Sequence, residues 1–161
     1  MKTHSDKGKR TEQQFRKWLT TVGFPDAERV VRTGWRQGTD IHPDTGDVHA
    51  SNGRLVFQVK SLEPPNRAER QVHTWVKETL TQAEAAGADF GFLVVRRPGT
   101  QPREWWVFTT NENLVTLMLA PTGWSVTTDG PGFPVRMMGQ ETVALLHANG
   151  YGLPDAETTA T

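Results

Sequence analysis

The sequence predicts an α/β domain built on a mixed central sheet flanked by helices. Apolar residues recur at helical spacing twice, at Phe15, Trp18, Leu19 and Val22 and again at Val72, Trp75, Val76, Leu80 and Ala83. Phe90 to Val95 is a near-continuous apolar run of strand length. Between the two helical segments, β-like runs flank Asn52-Gly53, the strongest two-residue hairpin signal.

The elements follow in order. The first helix is expected from about Lys9 to Val22, stopped by Gly23 with Pro25 beyond, and its polar face carries Lys9, Glu12, Arg16 and Lys17. Glu28 to Thr33 is short and β-branched and reads as a strand. Gly34, Gly38, Pro43 and Gly46 then make a loop rich in turn residues, with Asp40, Asp44 and Asp47 in it or at its end. After the hairpin and a polar loop, Glu63 to Asn66, the second helix covers one face of the sheet. Phe90 to Val95 and Glu104 to Thr110 are strands joined through Arg96-Arg97-Pro98-Gly99. A short helix is expected at Asn113 to Leu119, an irregular stretch or minor strand pair over 121–139, and a last helix from Glu141 to Asn149. The expected organisation is a core over 1–120, an extension packed on it over 121–150, and a flexible tail over 151–161.

Length and composition set bounds on function. A chain of 161 residues with 35% hydrophobic and 22% charged residues can form one core, burying roughly two-thirds of its unfolded surface. No apolar run approaches the ~18 residues of a membrane span, and the basic segment Met1 to Thr11 lacks the apolar stretch of a secretion signal, so a cytoplasmic protein with no membrane partner is expected. The absence of cysteine excludes disulfides, thiolate zinc sites, iron–sulfur clusters and cysteine nucleophiles. A metal must then sit on carboxylate, amide or imidazole. Net charge is zero, but residues 1–36 hold nine Lys/Arg against four Asp/Glu, a net of +5 that the remainder offsets. Such asymmetry suits a protein that grips phosphates with one part and holds a cation with another.

The hairpin supplies the sharpest local inference. With Asn52-Gly53 as the turn, Ala50 faces Leu55, His49 faces Val56, Val48 faces Phe57 and Asp47 faces Gln58. Side chains alternate along a strand, so Gln58 and Lys60 share a face with Asp47, while Phe57 and Val59 point the other way, into a core. A carboxylate, an amide and an ammonium are thereby gathered in one polar cluster.

In this order and spacing, the pieces resemble the PD-(D/E)xK nuclease superfamily and, within it, the Holliday-junction resolvase-like endonucleases of archaea and bacteriophages. The matching residues are Lys7-Gly8 followed by Glu12, Gly23-Phe24, Arg29 to Gly34, Gly46-Asp47-Val48, Val59-Lys60-Ser61, the helix with Trp75 and Val76, and Phe92 to Gly99 leading to Trp105-Trp106-Val107. The resemblance implies a restriction-endonuclease-like sheet, a Mg²⁺- or Mn²⁺-dependent endodeoxyribonuclease, and a homodimer on branched DNA. It implies Asp47 as the principal metal ligand, Gln58 as a neutral ligand where the family usually has Glu, Lys60 as the group that orients water or stabilises phosphate charge, and Glu12 as a ligand through water or for a second ion. Gly38-Thr39-Asp40-Ile41 is similar to the Gly-x-Asp of restriction-type relatives, which leaves Asp40 as the alternative to Asp47, with Asp44 third. Lys7, Lys9, Arg10, Arg32 and Arg36 are the candidate DNA contacts, with Arg29, Arg96 and Arg97 as further basic residues.

Each residue also has a plainer role. Glu12 pairs well with Arg16 at i+4, Asp47 suits a turn, and Gln58 with Lys60 suits the wet face of an edge strand. His42 and His49 lie near Asp47, but no spacing matches a zinc ligand pair. Of Trp105 and Trp106, alternation puts one in the core and the other at an interface. Two other functions keep the same fold: a restriction- or transposon-type nuclease subunit with a separate recognition partner, and a non-catalytic DNA-binding relative.

Overall fold

The computed structural model describes residues 4–30, 46–61, 70–124 and 132–153. Helix α1 (His4–Thr21) leads to β1 (Glu28–Arg29) and then to the hairpin of β2 (Val48–Ala50) and β3 (Leu55–Lys60). Helix α2 (Val72–Ala85) connects to β4 (Phe90–Val95), followed by β5 (Trp106–Thr110), α3 (Asn111–Leu119), β6 (Pro134–Met138) and α4 (Gly139–Ala148). The strands form one sheet in the order β1-β2-β3-β4-β5-β6. Every neighbouring pair is antiparallel except β3 and β4, which are parallel because α2 carries the chain back across the sheet between them. The sheet is therefore mixed and flanked by helices, as the sequence predicts.

Three of the helices share one face. Phe15 and Leu19 of α1, Leu117 of α3, and Val143 and Leu146 of α4 pack with Phe57, Val59, Phe92, Val94, Trp105 and Val107. Phe57 is the centre of this layer, with its ring 5.2 Å from that of Phe15 and 5.4 Å from that of Phe92. Burying a side chain of this kind contributes ~1.5–3 kcal/mol. On the opposite face α2 lays Val72 and Val76 against Leu93, Val95 and Phe108.

The hairpin has the expected register. Val48 pairs with Phe57, His49 with Val56 and Ala50 with Leu55. The turn is wider than the expected Asn52-Gly53 pair: Ser51, Asn52 and Gly53 take left-handed φ of 53°, 57° and 79°, Arg54 donates its N–H to the Ser51 carbonyl at 3.1 Å, and the ladder ends at Ala50 and Leu55. The Asp26 carboxylate accepts the N–H groups of Ser51 and Asn52 at 3.2 and 2.6 Å, pinning the turn to the end of α1's connection.

Several boundaries move. Helix α1 begins at His4, a turn before Lys9. Where an irregular stretch or minor strand pair is expected, Pro134–Met138 forms a full strand on β5, and α4 buries Leu146 in the shared core. Tyr151, expected in the tail, is buried at 7% exposure. Its burial is held by Arg54 and Asp89, which lie far away in sequence. Asp40, Asp44, His42, Arg32 and Arg36 lie outside the described residues, as do residues 154–161 of the expected tail.

Candidate functional site

Asp47 departs from the ladder just where the sequence places it opposite Gln58. Its N–H donates to the Phe57 carbonyl at 3.0 Å, so Asp47 and Val48 both face Phe57, a bulge that turns the side chain towards the backbone of β3. Gly46 permits the turn. It has φ of +92°, and a Cβ there would lie 2.5 Å from Val56 Cγ1. The Asp47 Oδ2 then accepts the N–H of Val59 at 2.7 Å. The carboxylate is thereby fixed to the peptide group between Gln58 and Val59, one residue before Lys60.

Gln58 and Lys60 both point to the α2 face. Gln58 is 4% exposed, and its Oε1 lies 2.7 Å from Thr79 Oγ1. That hydroxyl is also 2.7 Å from the Trp75 carbonyl. A hydroxyl has one proton and both of these oxygens accept, so both contacts are satisfied together only with the amide turned over, Nε2 donating to Thr79 and Oε1 directed away from it. Lys60 Nζ sits 5.4 Å from the Trp75 ring centroid, a cation–π contact that holds the ammonium against α2.

Glu12 is placed differently. It does not pair with Arg16, whose Nε donates to Gln13 at 3.2 Å; its carboxylate accepts from Arg29 Nε at 2.9 Å. Arg29 is the strand partner of Val48, and the neighbouring Val30 N–H donates to the Asp47 carbonyl at 2.9 Å. Glu12 therefore reaches the strands beside Asp47, but from the α1 layer and with its charge matched. Lys7, Lys9 and Arg10 are exposed on α1, the opposite layer from α2.

The structure also assembles groups that the sequence leaves apart. Arg97 and Arg136 both stack on Trp106, with their Cζ atoms 5.4 and 4.8 Å from the ring centroid, while Trp105 is fully buried. Arg136 carries no signal in the sequence, because the strand that sets it on the same face as Pro134 falls where an irregular stretch or minor strand pair is expected. At the far end of the molecule Tyr151 donates to Asp89 at 2.6 Å, with Arg54 stacked over the Tyr151 ring at 4.8 Å. Burial and the Asp89 carboxylate push the Tyr151 hydroxyl up to about 12, while the hydrogen bond from Tyr151 holds Asp89 below the usual carboxylate range.

Among the described residues, no three His, Asp or Glu side chains gather into a metal-binding group. A magnesium-class cation asks for less, because it keeps several waters and takes one or two carboxylates together with substrate phosphate. Asp47 and the Gln58 amide offer oxygen atoms of that kind on neighbouring strands, Asp47 held to the Val59 N–H and Gln58 against Thr79, and Lys60 shares the Gln58 face of β3. Comparison with models of protein families, with curated proteins and with solved structures finds no match to this chain.

Proposed function

We propose that this chain is a divalent-metal-dependent endonuclease that hydrolyses phosphodiester bonds of branched DNA as a homodimer, in the manner of the Holliday-junction resolvase-like enzymes it resembles. One observation carries the reading: the Asp47 carboxylate is bonded at 2.7 Å to the N–H that follows Gln58, in the strand that ends at Lys60. The element order supports it, since a helix bearing an acid, an Asp-bearing hairpin, a Gln-x-Lys strand, a helix and a strand follow one another as in that superfamily.

Asp47 and Gln58 would hold Mg²⁺ or Mn²⁺, which when bound lowers the pKa of a coordinated water and neutralises phosphate oxygens. Lys60 contributes charge stabilisation to the phosphate, held in place by Trp75. Glu12 enters as the partner of Arg29, steadying β1 against Asp47, rather than as a ligand. The Asp47–Val59 bond fixes the carboxylate before substrate arrives, so no side-chain freedom is lost at that moment.

The test is nicking of a labelled four-way junction and of a linear duplex with Mg²⁺ or Mn²⁺. Selective cutting of the junction, reduced on the order of 10²-fold or more in Asp47→Asn and in Lys60→Ala, is the expected result. Undiminished cutting by both variants overturns the site. Equal rates on the two substrates, or activity only with a partner protein, favours the restriction- or transposon-type subunit.

The burial of Gln58 and its contact with Thr79 favour a second reading, a non-catalytic DNA-binding relative in which the acid has been replaced. Cutting gained only by Gln58→Glu supports that reading, and cutting by the natural chain eliminates it.

A further inference from the structure

We propose that the β5–β6 end of the α2 face is a cradle for a single strand of nucleic acid, with Arg97 and Arg136 taking its phosphates and the groove beside them taking a base. The surface is distinct from the Asp47 cluster. Among the described residues α2 is the one helix on this face; it lies over β3 and β4, where Thr79 meets Gln58 and Val76 meets Leu93 and Val95. Towards β6 the sheet opens into a groove of about 540 Å³ lined by Val72, His73, Phe108, Phe133, Pro134 and Arg136. Phe133 stands at its rim at 56% exposure.

Charge decides the kind of occupant. Trp106 carries two guanidiniums, Arg97 at 5.4 Å and Arg136 at 4.8 Å from its centroid. Arg97 Nη1 donates to the Glu104 carbonyl at 3.2 Å, a neutral partner. Among the described residues neither guanidinium has a carboxylate within salt-bridge distance. Two like charges held on one indole, Arg136 exposed and Arg97 half-buried, suit oxygen-rich anions that accept bidentate bonds. An aromatic groove alongside suits a base, whose stacking is tolerant of sequence. Phosphate and aromatic ring together describe nucleic acid rather than an acidic peptide.

Register links the cradle to the candidate site. Lys60, Val95 and Trp106 form one row across the sheet, and Gln58, Leu93, Phe108 and Arg136 form the next. At about 4.8 Å per strand, Arg136 lies three strands, or roughly 14 Å, from Gln58. A strand leaving the cradle crosses towards Lys60, so the nucleic acid named here follows the proposed function; the binding itself requires no metal and no cutting.

The experiment is anisotropy of a fluorescent oligothymidine in EDTA. The natural chain binds, and Arg136→Glu and Arg97→Ala each weaken binding by about tenfold with a shallower salt dependence. Lys17→Glu, an exposed change on α1, leaves binding unchanged, and matched thermal melts show that Arg136→Glu is folded. Absence of binding by the natural chain, or binding unaffected by Arg136→Glu and Arg97→Ala, overturns the proposal. Displacement by polyglutamate as readily as by unlabelled oligothymidine also overturns it and makes the surface one for acidic protein. Oligothymidine binding that depends on Arg136, in a chain that cuts no DNA, upholds the cradle and defeats the nuclease reading; junction cutting with Arg136-independent binding does the reverse.

Discussion

The carboxylate of Asp47 accepts the backbone N–H of Val59 at 2.7 Å, so the residue proposed to hold the cation also completes the hydrogen bonding of its own sheet. The two roles separate by substitution. Asp47→Ala leaves the Val59 N–H without its acceptor and costs about 1–3 kcal/mol in urea denaturation. Asp47→Asn keeps an acceptor oxygen and most of the stability while losing the charge. Activity lost in both variants, with stability lost only in the first, is the expected pattern.

Gln58→Glu places a carboxylate where 4% of the side chain is exposed. In EDTA its melting temperature falls below that of the natural chain, by roughly 2–4 °C for each kcal/mol of destabilisation. Mg²⁺ restores it, because an ion that binds only the folded chain stabilises by mass action. A melting temperature indifferent to Mg²⁺ in this variant places no cation beside residue 58.

Tyr151 and Asp89 predict stability at both ends of the pH scale. The Tyr151 hydroxyl is raised from 10.0 to about 12, so its contribution is whole below pH 10 and disappears as pH rises through about 12. Asp89 is lowered from 3.8, so its contribution is whole above that value and disappears as pH falls through the depressed folded one. Tyr151→Phe removes the alkaline loss. Denaturation midpoints measured from neutral pH upward check this, and a variant as alkali-sensitive as the natural chain refutes it.

Two glycines with left-handed backbone differ in surroundings. Gly46 at φ +92° has Val56 Cγ1 2.5 Å from where a Cβ would stand, whereas Gly53 at φ +79° has nothing within 4 Å. Gly53→Ala bears only the conformational cost, about 1–2 kcal/mol, and Gly46→Ala adds the strain of overpacking, typically 1–3 kcal/mol more. Equal losses in the two variants exclude the contact with Val56.

The hairpin was legible because its determinants are adjacent in sequence. Asn52 and Gly53 accept positive φ, the period of two assigns faces, and the pairs Ala50 with Leu55 and Val48 with Phe57 follow without reference to the rest of the chain. Strand β4 was legible for a similar reason, since Phe90 to Val95 is apolar on both faces and needs cover on both. The bulge at Asp47 was not, because it depends on Gly46 meeting Val56. Strand β6 was hidden by its composition: Pro134 and Arg136 suit an edge, and an edge strand carries little apolar alternation.

By itself the sequence determined the helices, the hairpin, β4 and β5, the turn that sets one register, and which residues on β3 share a face, because neighbouring dihedrals and side-chain alternation are local properties. Tertiary structure decided the partners: Glu12 with Arg29 instead of Arg16, Gln58 with Thr79, and Arg97 with Arg136 on Trp106. Each of these pairings joins different elements, and its geometry exists only after the helices have packed on the sheet and fixed their distances.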